Sequence, residues 1–178
     1  VTTGESRADE VRTAGSGAAG FRADGIRPAE FRAVTAEETR TLGARLSALL
    51  GPGDLVVLSG PLGAGKTTLV QGLAEGLKVR GPITSPTFVI ARVHPSLSGG
   101  PALVHVDAYR LGGFPEVDDL DLDASLEESV TVVEWGEGLV EGLSEDRLEV
   151  HIERGDEGEE RLVRLSGVGP RWSAVSLA

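Results

Sequence analysis

Apolar residues along this chain change period several times, and each change marks an element. Leu55-Val56-Val57-Leu58 is a continuous apolar run closed by Ser59-Gly60, the pattern of a short strand buried on both faces. Just beyond, Leu69, Leu73 and Leu77 recur every four residues with Val70 and Ala74 beside them, which places them on one face of a helix. Upstream, Leu42, Leu46, Leu49 and Leu50 give another helix its apolar face, and Gly51-Pro52-Gly53 stops it. That helix starts at Thr35-Ala36-Glu37-Glu38, a capping box in which the Thr35 hydroxyl caps the third helical N–H and Glu38 reaches back. Residues 31–34, just before it, predict an edge strand.

Later segments read as strands. Residues 88–93 and 102–107 are joined by a connection rich in Pro and Gly, too short for a crossover helix, so the two pair antiparallel if they are neighbours. A loop with seven acids between Glu116 and Glu128 leads to the buried-looking run Val130-Thr131-Val132-Val133-Glu134. Leu148, Val150 and Ile152 then alternate with Glu149, His151 and Glu153, and Gly155-Asp156-Glu157-Gly158 turns the chain so that residues 161–165 return as a hairpin. Residues 1–30, rich in Gly, Ala, Thr, Ser and Arg without apolar period, read as a disordered tail. One folded domain is expected over 31–168, followed by a C-terminal tail over 169–178.

The chemistry is concentrated in GPLGAGKT, residues 60–67, which fits the phosphate-loop pattern G-x-x-x-x-G-K-[ST] at every fixed position. Glycines there let backbone N–H groups turn inward around the α- and β-phosphates of a nucleotide. The Lys66 ammonium reaches the β/γ-phosphates, and the Thr67 hydroxyl is placed to ligate Mg²⁺. A strand before the loop and a helix after it are the context that the motif requires. The expected fold is α/β, a P-loop NTPase-like sandwich with a central mixed sheet, parallel and antiparallel, flanked by few helices.

A phosphate loop needs an acid near the metal, usually at the C-terminal end of an apolar strand. Two strands end that way, one in Asp107 and one in Glu134, and on chemistry alone either carboxylate can serve. One of them can equally cap a helix or pair with Arg110. Ser85-Pro86-Thr87-Phe88 is a stiff loop whose hydroxyls can meet a γ-phosphate, or simply begin a strand. His105 is expected to pack in the sheet, and His94 and His151 to be solvated. Packing is favoured for Trp135 over contact with a nucleotide or partner.

Composition narrows the partners. The net charge is −11, with fifteen Arg and two Lys among 28 acids, one of the lysines being Lys66. Strong autonomous nucleic-acid binding requires clustered bases to release counterions, and is not expected. The chain has no Cys, hence no disulfide framework or thiolate metal site. No apolar stretch approaches the roughly 20 residues that span a bilayer, and a cytoplasmic location is expected.

Taken in order, GPLGAGKTT, SPTF, HVDAYRL and VVEW resemble the TsaE family, also known as YjeE, over about residues 31–152. The resemblance implies a Mg²⁺-dependent ATPase of bacterial tRNA threonylcarbamoyladenosine biosynthesis, weak alone and activated by the TsaB–TsaD pair. In such a system the ATPase resets its partners and does not itself transfer the threonylcarbamoyl group. Carried over by position, the resemblance assigns ATP to Gly60, Leu62, Gly63, Ala64, Gly65, Lys66, Thr67 and Thr68. It assigns Mg²⁺ to Thr67 and Glu134, and places Asp107 by the reacting phosphate, with Ser85 and Thr87 in a switch-like segment. Lys66, Asp107 and Glu134 form the expected catalytic set. Many family members carry an acid where this chain has Pro61. The rival readings are a small-molecule kinase, for which residues 112–129 and 136–147 offer only Arg147 as a lid cation, and an ATP-sensing module without turnover. A GTPase is disfavoured, since no N-K-x-D or D-x-x-G run is present.

Overall fold

The structure, a computed structural model, describes residues 29–86, 90–109, 126–156 and 158–176. Its elements in chain order are β1 (Ala29–Ala33), α1 (Ala36–Ser47), β2 (Leu55–Ser59), α2 (Lys66–Leu77), β3 (Ala91–His94), β4 (Ala102–Asp107), β5 (Ser129–Glu134), β6 (Arg147–Arg154), β7 (Arg161–Val168) and the short α3 (Pro170–Ser173). The strands form one sheet in the order β1-β7-β6-β2-β5-β4-β3. β2 lies between β5 and β6 and is parallel to both, and β4 runs parallel to β5. The β3–β4, β6–β7 and β1–β7 pairs are antiparallel. The mixed α/β sandwich expected from the motif is the observed fold.

Two apolar layers follow from the strands' period of two. Val56, Leu58, Leu103, Val130, Val132, Leu148 and Val150 face Leu42 and Leu46 of α1 and Leu69, Val70, Leu73 and Leu77 of α2. Leu55, Val57, Val104, Val106 and Val133 face the opposite side, covered by Leu126 and Val140. Each fully buried Leu contributes about 1.5–3 kcal/mol of transfer free energy. The sheet therefore clamps α2, and with it the loop that precedes α2.

The helices α1 and α2 cross with backbone against backbone. A Cβ on Gly72 would sit 2.8 Å from the Arg40 carbonyl carbon and 3.0 Å from the Ala44 nitrogen. A side chain there must push α1 away from α2. At the head of α1, Thr35 Oγ1 accepts from the Glu38 amide at 3.1 Å as expected. The Glu38 carboxylate reaches one residue further back than a capping box requires, to the Val34 amide at 2.9 Å.

Some boundaries differ from the sequence reading. β1 begins at Ala29, because Ala29 and Glu30 pair with Leu165 and Arg164 of β7. Residues 169–178 were expected as a tail, but Pro170–Ser173 form α3 and Trp172 is completely buried in the layer facing α1 and α2. Arg171 fastens that turn, donating to Leu49 O at 2.8 Å and to Asp54 at 3.0 Å. A lone Trp in a Gly-Pro context has no period to reveal its burial. His94, expected in solvent, is buried with Nδ1 2.9 Å from Arg80 O. The disordered tail expected over 1–30 lies, up to residue 28, outside the described residues, as do Arg110 and Thr87. Among the described residues no helix is long and apolar enough to cross a membrane.

Candidate nucleotide-binding site

The loop between β2 and α2 bends through left-handed backbone at Gly60 (φ 136°), Gly63 (φ 72°) and Gly65 (φ 103°), a region that side-chain-bearing residues rarely enter. Gly60 has a second reason to lack a side chain, because a Cβ would run into the Ile152 carbonyl of β6. The Ala64 amide closes the turn onto Pro61 O at 3.1 Å. Gly65 is the N-cap of α2 and supplies no capping side chain. The first-turn N–H groups of Lys66, Thr67 and Thr68 have no partner within the helix, and its dipole adds positive potential at this end. This cradle suits an anion. Leu62 and Pro61 stand at the exposed rim.

Lys66 is only 5% exposed. Its ammonium donates to Gly60 O at 2.8 Å and Pro61 O at 3.0 Å, and lies 3.9 Å from the centre of the Trp135 ring. Burial pulls its pKa below the ordinary value of 10.5, while Glu134 and Asp107 act in the opposite direction. Trp135 follows the end of β5 with φ 61°, an uncommon backbone for a bulky residue. Its amide bonds Leu58 O of β2 at 3.0 Å and its ring tilts against Tyr109 at 5.1 Å. The Trp135 ring, for which packing was favoured, meets the loop lysine and lines a cleft of about 370 Å³ with Ser59, Gly60, Pro61, Glu137 and His151. His151, also expected in solvent, is partly buried and hydrogen-bonded to Ser59 Oγ at 2.8 Å.

The parallel pairing of β4 with β5 sets Asp107 directly beside Glu134, and both are buried. Their surroundings separate them. Glu134 accepts from the Thr67 hydroxyl at 3.0 Å and 3.3 Å, and its Oε1 lies 2.8 Å from His105 Nε2. Asp107 accepts from Ser85 Oγ at 2.9 Å and from the Tyr109 amide at 3.0 Å. The structure thus brings together Lys66, Thr67, Ser85, Asp107 and Glu134, five of the residues singled out in the sequence. Arg154 of β6, not foreseen, reaches the loop at Gly63 O, 3.4 Å away.

A hard cation fits the donor set. Thr67 and Glu134 offer oxygen ligands in mutual contact beside the loop, and Mg²⁺ takes one or two protein oxygens while phosphates and waters complete its octahedron. Among the described residues no cluster of three or more His, Cys, Asp or Glu is arranged to hold a metal alone.

The family model described as threonylcarbamoyl adenosine biosynthesis protein TsaE matches residues 33–163. The chain is 64% identical over 143 residues to the tRNA threonylcarbamoyladenosine biosynthesis protein TsaE of Streptomyces coelicolor, covering 78% of this chain and 97% of that protein. It is 55% identical to the protein of the same name from Mycobacterium bovis, over 73% of this chain and 82% of the relative. The crystal structure of Bacillus subtilis YdiB superposes with a TM-score of 0.67 at 32% identity, over 84% of this chain and 92% of that one. With the phosphate loop, both strand-end carboxylates and Ser85 all inside the matched span, this chain belongs to the TsaE family.

Proposed function

We propose that this chain binds Mg·ATP at residues 60–68 and hydrolyses it slowly, in support of tRNA threonylcarbamoyladenosine modification. The observation that carries this reading is the contact between the Thr67 hydroxyl and the Glu134 carboxylate, 3.0 Å apart beside a glycine-lined helix N-terminus. The two flank the phosphate cradle where a metal-bridged triphosphate needs oxygen ligands.

Each residue then has a distinct task. The backbone N–H groups of Gly60 and of Leu62 to Thr68 surround the phosphates and fix their position, Pro61 having none to give. Lys66, held by the carbonyls of Gly60 and Pro61, is poised to exchange those acceptors for phosphate oxygens. Thr67 and Glu134 would hold Mg²⁺, which when bound neutralises charge developing on the phosphates. Asp107, aligned by Ser85 and the Tyr109 amide, is the carboxylate free to orient an attacking water. Thr87, two residues beyond Ser85, belongs to the same switch-like segment.

Hydrolysis in this reading is weak in the isolated chain and rises with TsaB and TsaD, the partners that the family resemblance implies. The chain acts on that complex in the cytoplasm and leaves the transfer itself to it. The acidic balance of −11 supports contact with tRNA only through those partners. The test is phosphate release from ATP by the purified chain, with and without the matching TsaB–TsaD complex. Stimulation by the complex is expected. A γ-phosphate recovered on a small metabolite would establish a kinase instead, and binding without turnover under both conditions would leave an ATP sensor.

A further inference from the structure

His105 is completely buried in the middle of β4, on the sheet face turned toward α2. Its strand neighbours on that face are Leu103 and Asp107, and its register partner on β5 is Val132. A leucine would fill such a position more favourably than an imidazole. The ring has one polar partner: Nε2 lies 2.8 Å from Glu134 Oε1, while Nδ1 is buried with no hydrogen-bond partner in the described structure. An orphaned buried nitrogen costs stability. That cost is sustained by the contact on the other side of the ring.

We propose that His105 is a positioning residue, whose Nε2–H fixes the Glu134 carboxylate against Thr67 in the orientation that receives Mg²⁺. This rests on the Mg·ATP reading above and assigns a role to a residue outside the phosphate loop and the strand-end carboxylates. A carboxylate only accepts, so Nε2 is the donor. In the neutral ring that leaves Nδ1 as the bare lone pair, which is less costly to leave unpaired than an N–H. With Oε1 held by the ring, both carboxylate oxygens remain within reach of the Thr67 hydroxyl. Ligating carboxylates generally need such outer hydrogen bonds, and losing one typically lowers metal affinity about 10–100-fold. The ring itself touches neither nucleotide nor metal.

The experiment titrates ATP into the full chain and into its His105→Leu and His105→Gln variants by calorimetry, once with MgCl₂ and once with EDTA. Leucine keeps the bulk and removes the donor, whereas glutamine sets an amide N–H close to the position of Nε2. The expected result is a loss of about 10-fold or more in the Mg²⁺-dependent part of the affinity for His105→Leu, with metal-free affinity unchanged. His105→Gln should retain most of the Mg²⁺ response. An equal loss with and without Mg²⁺, or none in either, overturns the role of His105 alone. Absence of any binding by the unmodified chain overturns the ATP reading along with it. Should His105→Leu fail to fold, ring ¹⁵N–¹H spectra of the unmodified chain decide: a proton on Nε2 is expected, and one on Nδ1 overturns the proposal.

Discussion

The two flanks of the sheet keep their charged groups in opposite places. On β4 and β5, His105, Asp107 and Glu134 are buried and hydrogen-bonded to one another or to neighbouring loops. On β1 and β7, Arg164 pairs with Glu30 with both side chains about half exposed, and the exposed Arg32 pairs with Glu160 just before β7. The arrangement of the strands accounts for the difference. Parallel strands bring all their C-terminal ends to one edge, so Ser59, Asp107 and Glu134 converge beside the helix N-terminus. An antiparallel meander alternates its ends and gathers no such set. Burial on β4 and β5 strengthens electrostatics and makes it costly, whereas on β1 and β7 charge is weak and tolerated. The parallel centre is thus the part built for chemistry, and the antiparallel flank the part built to hold.

The sharpest way to break this comparison is Lys66→Met. Removal of the loop ammonium should cost about 2–5 kcal/mol of ATP binding by calorimetry, the range for truncating one partner of a desolvated charge pair. Unchanged affinity would move the phosphate site elsewhere. Next in size is Trp172→Ala on the flank side. Trp172 is fully buried, so about 3–5 kcal/mol of stability should be lost in urea unfolding. ATP affinity of the chain that remains folded should be unchanged.

A smaller effect of opposite sign sharpens the contrast. Because burial lowers the Lys66 pKa, the ammonium is a burden on the ligand-free fold. Lys66→Met should therefore raise ligand-free stability at pH 7. Below the lowered folded pKa both states carry the proton and the penalty is complete. Between that value and 10.5 the folded chain sheds its proton first, the unfolded chain binds more, and stability rises with pH. Urea titrations across this alkaline range should show the rise in the unmodified chain and lack this contribution in the variant. A variant less stable than its parent at pH 7 would refute the argument. Last, Arg164→Ala, which breaks two ion pairs of a half-exposed side chain, should cost less than about 1 kcal/mol, and less again at high salt. A larger loss would mean that the flank also depends on its charges.

The fold was legible wherever local pattern and tertiary environment agree. Apolar runs at 55–58 and 130–133, the four-residue period of α2 and the glycine loop each specify their own conformation, because strand, helix and left-handed turn are decided within a few residues. Even the capping interaction at Thr35 was readable on that scale. Burial of a single polar or aromatic side chain was not. His94 and Trp172 have no periodic company, and both are buried only because distant segments close over them.

The site divides along the same line. By itself the sequence determined that a glycine-rich turn stands between a strand and a helix, and that acids end two later strands, since these are properties of contiguous residues. Only the tertiary structure decided that β4 lies beside β5 in parallel register. That pairing sets Asp107 next to Glu134, turns His105 onto the Glu134 carboxylate and gives Thr67 to Glu134 instead of Asp107. Strand order and register are long-range choices made by the shared burial of Leu103, Val130 and Val132 against α2, and no local window of the chain contains them.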